Sequence, residues 1–184
     1  MSILLSLLLA LNLPACGPKP VEVVDPATVT DPKKLYTDGV RLLQAEAPDY
    51  TKALALFEAA VSSDATMVKG WYNAGFCAER LGDHSKAEQY YRKAIELDPN
   101  MVSALFNLGE VLKNAGKASE AVTLYQGYVT AHPDDLKARN NLVDALTAAK
   151  SYDEALKQAQ EVLARDPKNV GAYRNMSRTY LEQG

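Results

Sequence analysis

Few side chains in this sequence are of the kinds that do chemistry, and their spacing argues against most of it. The 184 residues contain two cysteines, Cys16 and Cys77, and two histidines, His84 and His132. Cys77 and His84 stand about two helical turns apart, but Gly82 lies between them and no further ligand follows, so no metal site is expected. Ser62-Ser63-Asp64 and Asp134-Asp135 read as helix caps, not as nucleophile or acid–base pairs. No GxSxG, HExxH, phosphate-binding loop or dinucleotide fingerprint occurs. The expectation is a protein that is not an enzyme, with no cofactor, metal or small-molecule substrate. Hydrophobic residues make up 47% and charged residues 23%, ordinary for a folded domain. A formal net charge of −3 argues against a nucleic-acid partner, which draws a basic surplus.

One cysteine remains to be explained. Residues 1–15 carry no charged side chain, and the run Ile3 to Leu13 is broken only by Ser6 and Asn12. As a helix it would span about 16 Å, against a bilayer core of about 30 Å, so it suits a signal-peptide core and not a membrane span. Its end, Leu13-Pro14-Ala15-Cys16, resembles the cleavage box of bacterial lipoprotein signal peptides, with Pro14 where a small Ala or Ser is usual and no Lys or Arg before the apolar run. The resemblance implies that the Cys16 thiol receives a diacylglycerol, that the chain is cut before it, and that the new amine is acylated. An ordinary signal peptide with a chance cysteine and a buried N-terminal helix are the other readings of this segment. Each buried methylene contributes about 0.8 kcal/mol, and two chains already anchor stably. Gly17 follows the cysteine where Asp is the family's signal for inner-membrane retention in enteric bacteria, which implies the outer membrane. Residues 17–32 hold four prolines and read as an extended tether of up to about 50 Å.

From there the chain repeats every 34 residues. Ala87, Ala121 and Ala155 share that spacing, as do Pro99, Pro133 and Pro167, and Asn73, Asn107, Asn141 and Asn175. The run Trp71 to Ala78, followed by Ala87, Tyr91, Ala94 and Pro99, resembles the tetratricopeptide repeat; so does Leu105 to Leu112 with Ala121, Tyr125 and Pro133. An earlier copy carries Ala53, Phe57 and Ala60, its first helix offset by 36, so two extra residues belong in the turn around Ala45–Asp49.

The fold expected is all-α: a solenoid of antiparallel helix pairs, about nine helices wound into the family's superhelix. The divisions are a signal peptide (1–15), a lipidated cysteine with tether (16–32) and the solenoid (33–184), with repeats at about 33–67, 68–101, 102–135 and 136–169 and a partial repeat at 170–184. Apolar residues such as Trp71, Ala74, Ala78 and Leu81 fall on one helical stripe, small residues permit close approach, and each pair exposes a flank that only its neighbour buries. The fourth copy departs: Arg139 stands for Trp71 and Leu105, Lys150 for the turn glycine, Ala159 for Tyr91 and Tyr125. Arg139 fills less apolar volume, so this copy is expected to be the least protected in hydrogen exchange. Tyr173, Met176 and Tyr180 form the stripe of a fifth first helix, on which Leu181 has no place.

By the resemblance, first helices line a concave groove that receives peptides or partner helices. The matching positions begin with Tyr36, Tyr72, Phe106, Asn140 and Arg174; one turn on lie Val40, Phe76, Glu110, Asp144 and Arg178, bordered by Lys69, Glu79, Arg80, Lys113 and Asn114. Such a groove is aromatic in its N-terminal half and polar in its C-terminal half, suited to an apolar or aromatic segment; the alternative is that these aromatics pack on neighbouring repeats. The Asn series is read as structural, bonding nearby backbone. The family's carboxylate clamp needs Lys and Asn where Tyr36, Val40, Tyr72 and Phe76 stand, so chaperone tails are not expected ligands. The function expected is a membrane-anchored adaptor in the bacterial envelope, facing the periplasm from the outer membrane. It would bind protein as an assembly or pilotin-like factor for an outer-membrane, pilus, secretion or motility complex. The alternatives are the recognition module of an enzyme whose catalytic domain lies beyond residue 184, and a soluble periplasmic binding protein.

Overall fold

The computed structural model describes residues 31–184. The signal peptide, Cys16 and nearly all of the tether lie outside the described residues. Nine helices and no strand occupy the described part: α1 (Pro32–Leu43), α2 (Tyr50–Ser63), α3 (Val68–Arg80), α4 (His84–Leu97), α5 (Val102–Asn114), α6 (Ala118–Ala131), α7 (Leu136–Ala148), α8 (Tyr152–Arg165) and α9 (Val170–Gln183). None of them is long and apolar enough to cross a membrane.

Local chemistry sets the ends. Pro32, the last proline of the expected tether, is the first residue of α1: Asp31 accepts from the Lys33 amide (3.0 Å), and a proline at that place has no N–H to leave unbonded. Asp49, Asp83 and Asp135 cap α2, α4 and α7 in the same way. Asp64 is a cap at the opposite end, the C-cap of α2. It ends α2 and tightens the turn to α3, accepting from the Thr66 amide (3.0 Å) and hydroxyl (2.6 Å), as Asp98 and Asp166 do for their own turns. The extra residues of the first repeat do fall in its turn, which runs over 44–49 where the equivalent turns cover 81–83, 115–117 and 149–151. Those three turns share one geometry. Gly82, Gly116 and Lys150 take φ of 81°, 75° and 60°, and the next amide reaches back to the carbonyl of Ala78, Leu112 or Leu146. A lysine held there costs on the order of 1 kcal/mol relative to glycine.

Consecutive helices pack along the whole series. In addition α3 touches α5, α5 touches α7 and α7 touches α9, whereas no comparable packing joins α2, α4, α6 and α8. The first helices of the pairs are therefore crowded on the inside of a curve and the second helices spread on its outside. The core sits between the two layers. There Gly39, Gly75 and Gly109 face the fully buried Phe57, Tyr91 and Tyr125, and a Cβ on Gly39 or Gly75 would stand 2.8 Å from the opposing ring.

In the fourth repeat the sizes at these two registers are exchanged. Val143 occupies the glycine register and Ala159 the aromatic register, and both are fully buried. Arg139 is only 6% exposed; its guanidinium donates to Gln158 (2.6 Å), Glu161 (2.8 Å) and the Pro133 carbonyl (3.3 Å). The apolar volume missing from the sequence pattern is thus replaced, partly by Val143 and partly by a polar network. The last helix turns differently from its stripe: α9 buries Ala172, Asn175 and Thr179, and leaves Tyr173, Tyr180 and Leu181 54%, 53% and 83% exposed. That outward stripe matches the register of Trp71, which in its own repeat packs on Tyr90 of the second helix (centroids 5.8 Å apart). Among the described residues no second helix covers it.

The exchanged pair makes a double-mutant test. Ala159→Tyr alone should lower unfolding stability by about 2 kcal/mol through overpacking against Val143. Adding Val143→Gly should recover up to about half of that loss, because relief of the overpacking is offset by about 1 kcal/mol for glycine in a helix. Denaturant titration of the four chains measures it, and simple additivity would show that the two sites do not share one space.

Candidate functional site

Because the first helices form the inner layer, side chains at equivalent positions on α1, α3, α5, α7 and α9 form rows across the concave face. One row is Tyr36, Tyr72, Phe106, Asn140 and Arg174, and the next is Val40, Phe76, Glu110, Asp144 and Arg178. Two hollows open along these rows. One, of about 400 Å³, is lined by Lys33, Tyr36, Thr37, Met67, Val68 and Lys69. The other, of about 370 Å³, lies among Tyr72, Phe106, Asn107, Glu110, Lys137 and their neighbours.

The aromatic half is held from beneath. Tyr36, Tyr72 and Phe106 are half-buried, each resting on the second helix of its own repeat: on Phe57 (ring centroids 5.7 Å), Tyr91 (5.8 Å) and Tyr125 (6.2 Å). Burial and the neighbouring Glu79, which accepts from the Tyr91 hydroxyl at 2.7 Å, push the Tyr91 phenol well above its usual range, and burial does the same to Tyr125. Both therefore stay neutral and act as packing and hydrogen-bonding platforms. Tyr125 donates to the Phe106 carbonyl at 3.0 Å and so fixes the helix that carries Phe106. Phe76 does something else. It stands edge-on to Tyr50 of the preceding second helix (6.1 Å), and the Arg80 guanidinium lies 5.3 Å from that same ring. Phe76 is thus a packing residue between repeats, as the alternative reading held for the aromatics at large. Val40 is half-buried against the core.

The polar half is largely satisfied within the chain. Asp144 pairs with both Lys113 and Arg178; Lys113 also pairs with Glu110 (2.8 Å) and Arg178 with Glu182 (3.6 Å). The ladder crosses three repeats, and its centre is shielded, with the Lys113 and Asp144 side chains 11% and 18% exposed. Burial raises the Glu110 pKa, opposed by the charge of Arg178. Asn140 turns toward the start of α9 and donates to Asn169 (3.0 Å), while Arg174 is exposed and makes no ion pair among the described residues. The structure thus brings Tyr36 with Lys69, and Tyr72 with Phe106 and Glu110, but it ties Asp144 and Arg178 to each other.

The Asn series splits. Asn175 donates to the backbone carbonyl of Asn140 (2.8 Å), but Asn73 and Asn107 donate to the hydroxyls of Tyr36 and Tyr72 (3.4 Å each), so these amides hold groove tyrosines in place. Two groove residues were missed in the sequence, Lys33 and Lys137. Their signal was the register they share with Lys69, 36 residues after the first and 68 before the second. Cys77 is fully buried, and burial pushes its thiol up to about 12, which makes it inert as a nucleophile at neutral pH.

Residues 68–101 match the sequence profile of a family described as "Tetratricopeptide repeat", and residues 106–170 match a second profile with the same description, together more than half of the chain. Solved structures are similar in fold. YrrB, described as a TPR protein with an unusual peptide-binding site, aligns at 23% identity over 84% of this chain and 78% of its own, with a TM-score of 0.68. MamA from Desulfovibrio magneticus RS-1 aligns at 19% identity over 88% of this chain and 87% of its own, with a TM-score of 0.70. Another MamA structure aligns at 20% identity over 76% and 75%, with a TM-score of 0.67. No curated protein sequence matches the chain.

The ion ladder sets a ranking of stabilities. Asp144→Ala should cost about 2 kcal/mol, because it leaves the shielded Lys113 with only Glu110. Arg178→Ala should cost less than about 1 kcal/mol, since that partner is exposed. Thermal unfolding of both variants measures it, and the reverse order would show that the ladder does not brace the C-terminal repeats.

Proposed function

This chain belongs to the tetratricopeptide repeat family, and we propose that it is a lipid-anchored scaffold that captures a partner protein in the groove formed by its first helices. The observation that carries the proposal is the pair of hollows on the concave face, each bordered by half-exposed aromatics that are braced from behind. Rigid aromatic side chains lose little conformational freedom on binding and make good anchors. YrrB, which has the same fold, is described as having a peptide-binding site, and the reading proposed here is of the same kind.

The anchor is the second half of the proposal. Cys16 carries the acyl chains, residues 17–31 are the tether, and the solenoid stands off an outer membrane on its periplasmic side. The mechanism is binding without chemistry. Such an arrangement fits an assembly or pilotin-like factor for an envelope machine: the lipid fixes the location, the tether supplies reach and the groove selects the partner.

Two measurements test this. In crosslinked envelopes, Tyr72→Ala/Phe106→Ala should reduce recovery of the partner at least about tenfold, as expected for two anchor residues, while far-ultraviolet circular dichroism stays that of a folded solenoid. Undiminished capture would remove the groove. Labelled palmitate should enter the wild-type chain and not Cys16→Ser; labelling of neither would leave a scaffold without its anchor.

A further inference from the structure

We infer that the segment received by the groove is acidic and extended, with carboxylates paired to Lys33, Lys69 and Lys137 and apolar side chains seated on Tyr36, Tyr72 and Phe106. The inference rests on the proposed scaffold function and specifies the chemistry of its partner.

The argument begins with what is left over after the chain has paired its own charges. Carboxylates on the concave face are engaged: Glu79 accepts from Tyr91 (2.7 Å), Glu110 pairs with Lys113 (2.8 Å), Asp144 with Lys113 and Arg178, and Glu182 with Arg178. Three of the cations on that face are not. Lys33, Lys69 and Lys137 form no ion pair among the described residues, although the chain as a whole carries a net charge of −3. An acidic protein thus presents unpaired positive charge along the strip that its curvature makes concave. A potential of that sign, focused by the groove walls, attracts anionic side chains and disfavours basic ones.

The placement is also specific. Lys33 and Lys69 border the same hollow as Tyr36, and Lys137 borders the hollow of Tyr72 and Phe106, its ammonium 5.2 Å from the Phe106 ring centroid. A cation and an aromatic therefore stand side by side in each hollow. An extended chain presents successive side chains to opposite sides, so a ligand alternating acidic and apolar residues meets lysine row and aromatic row together. The same pairing of lysines with aromatics occurs where single-stranded nucleic acid binds. Here the net negative charge of the chain opposes a continuous polyphosphate, whereas a short peptide brings only a few carboxylates, set at the lysines, and turns apolar side chains toward Glu110.

The test is selection from a random short-peptide library on the full chain. The expected winners carry an excess of Asp and Glu beside Phe, Tyr or Leu. Their affinity should fall as salt rises, and fall about tenfold or more on Lys33→Glu/Lys69→Glu/Lys137→Glu, with the milder Lys→Gln triple variant in between. Winners without an acidic excess that still need Tyr72 and Phe106 would overturn the acidic assignment and leave the groove standing. Winners indifferent to both sets of substitutions, or no enrichment at all, would overturn the groove as well. Tighter binding of a single-stranded oligonucleotide that displaces the selected peptides would overturn the inference in favour of nucleic acid.

Discussion

The structure depends on one contact made four times over. In each repeat a small residue of the first helix meets a large residue of the second, or the reverse, inside a space that admits only one large side chain. Gly39 with Phe57, Gly75 with Tyr91 and Gly109 with Tyr125 fill it from the second helix; in the fourth repeat Val143 and Ala159, both fully buried, hold the same two registers with the larger side chain on the first helix. Interiors pack at crystal-like density, so the sum of the two side chains is constrained while their order is free. Everything else in the solenoid is downstream of that spacing, because it sets how closely the two layers approach and hence how tightly the inner layer curves.

Curvature then makes the site. Crowding of α3, α5, α7 and α9 brings residues 34 apart into continuous rows, so a feature repeated in sequence becomes a surface in space. The aromatics of that surface do not stand free: they lie on the same rings that fill the core contact, and Asn73 and Asn107 tie two of their hydroxyls to the next repeat. Core and groove are two faces of one layer of aromatic side chains, so the groove inherits its rigidity from the core. That is the condition under which exposed aromatics serve as anchors.

The two ends of the groove are specialised differently. The N-terminal half keeps unpaired lysines beside half-exposed rings, and the C-terminal half ties Asp144 and Arg178 into an internal ladder from Glu110 to Glu182. The buried polar pair Thr147 and Thr179 (2.7 Å) and the network around Arg139 belong to the same C-terminal region. Polar contacts there take over part of the work that apolar volume does in the earlier repeats: the Arg139 network ties α7 to α8, and the threonine pair ties α7 to α9.

The sequence by itself determined the repeat, the number of helices, their turns and the rows of the concave face, because all of these follow from periodicity and from residues whose backbone preferences are strong: Pro32 at a helix start, Gly82 and Gly116 at helix ends, small residues where helices meet. What it left undecided was partnership. Phe76 and Tyr72 look alike in the repeat pattern, yet Phe76 packs on Tyr50 of another repeat and Tyr72 borders a hollow. Arg139 and Ala159 look like losses until Val143, Gln158 and Glu161 are placed beside them. Asp144 and Arg178 look like a polar groove until each is found holding the other. Periodicity specifies which face of a helix a residue occupies; only the packing of one repeat against the next decides whether that face meets a ring, a charge or solvent.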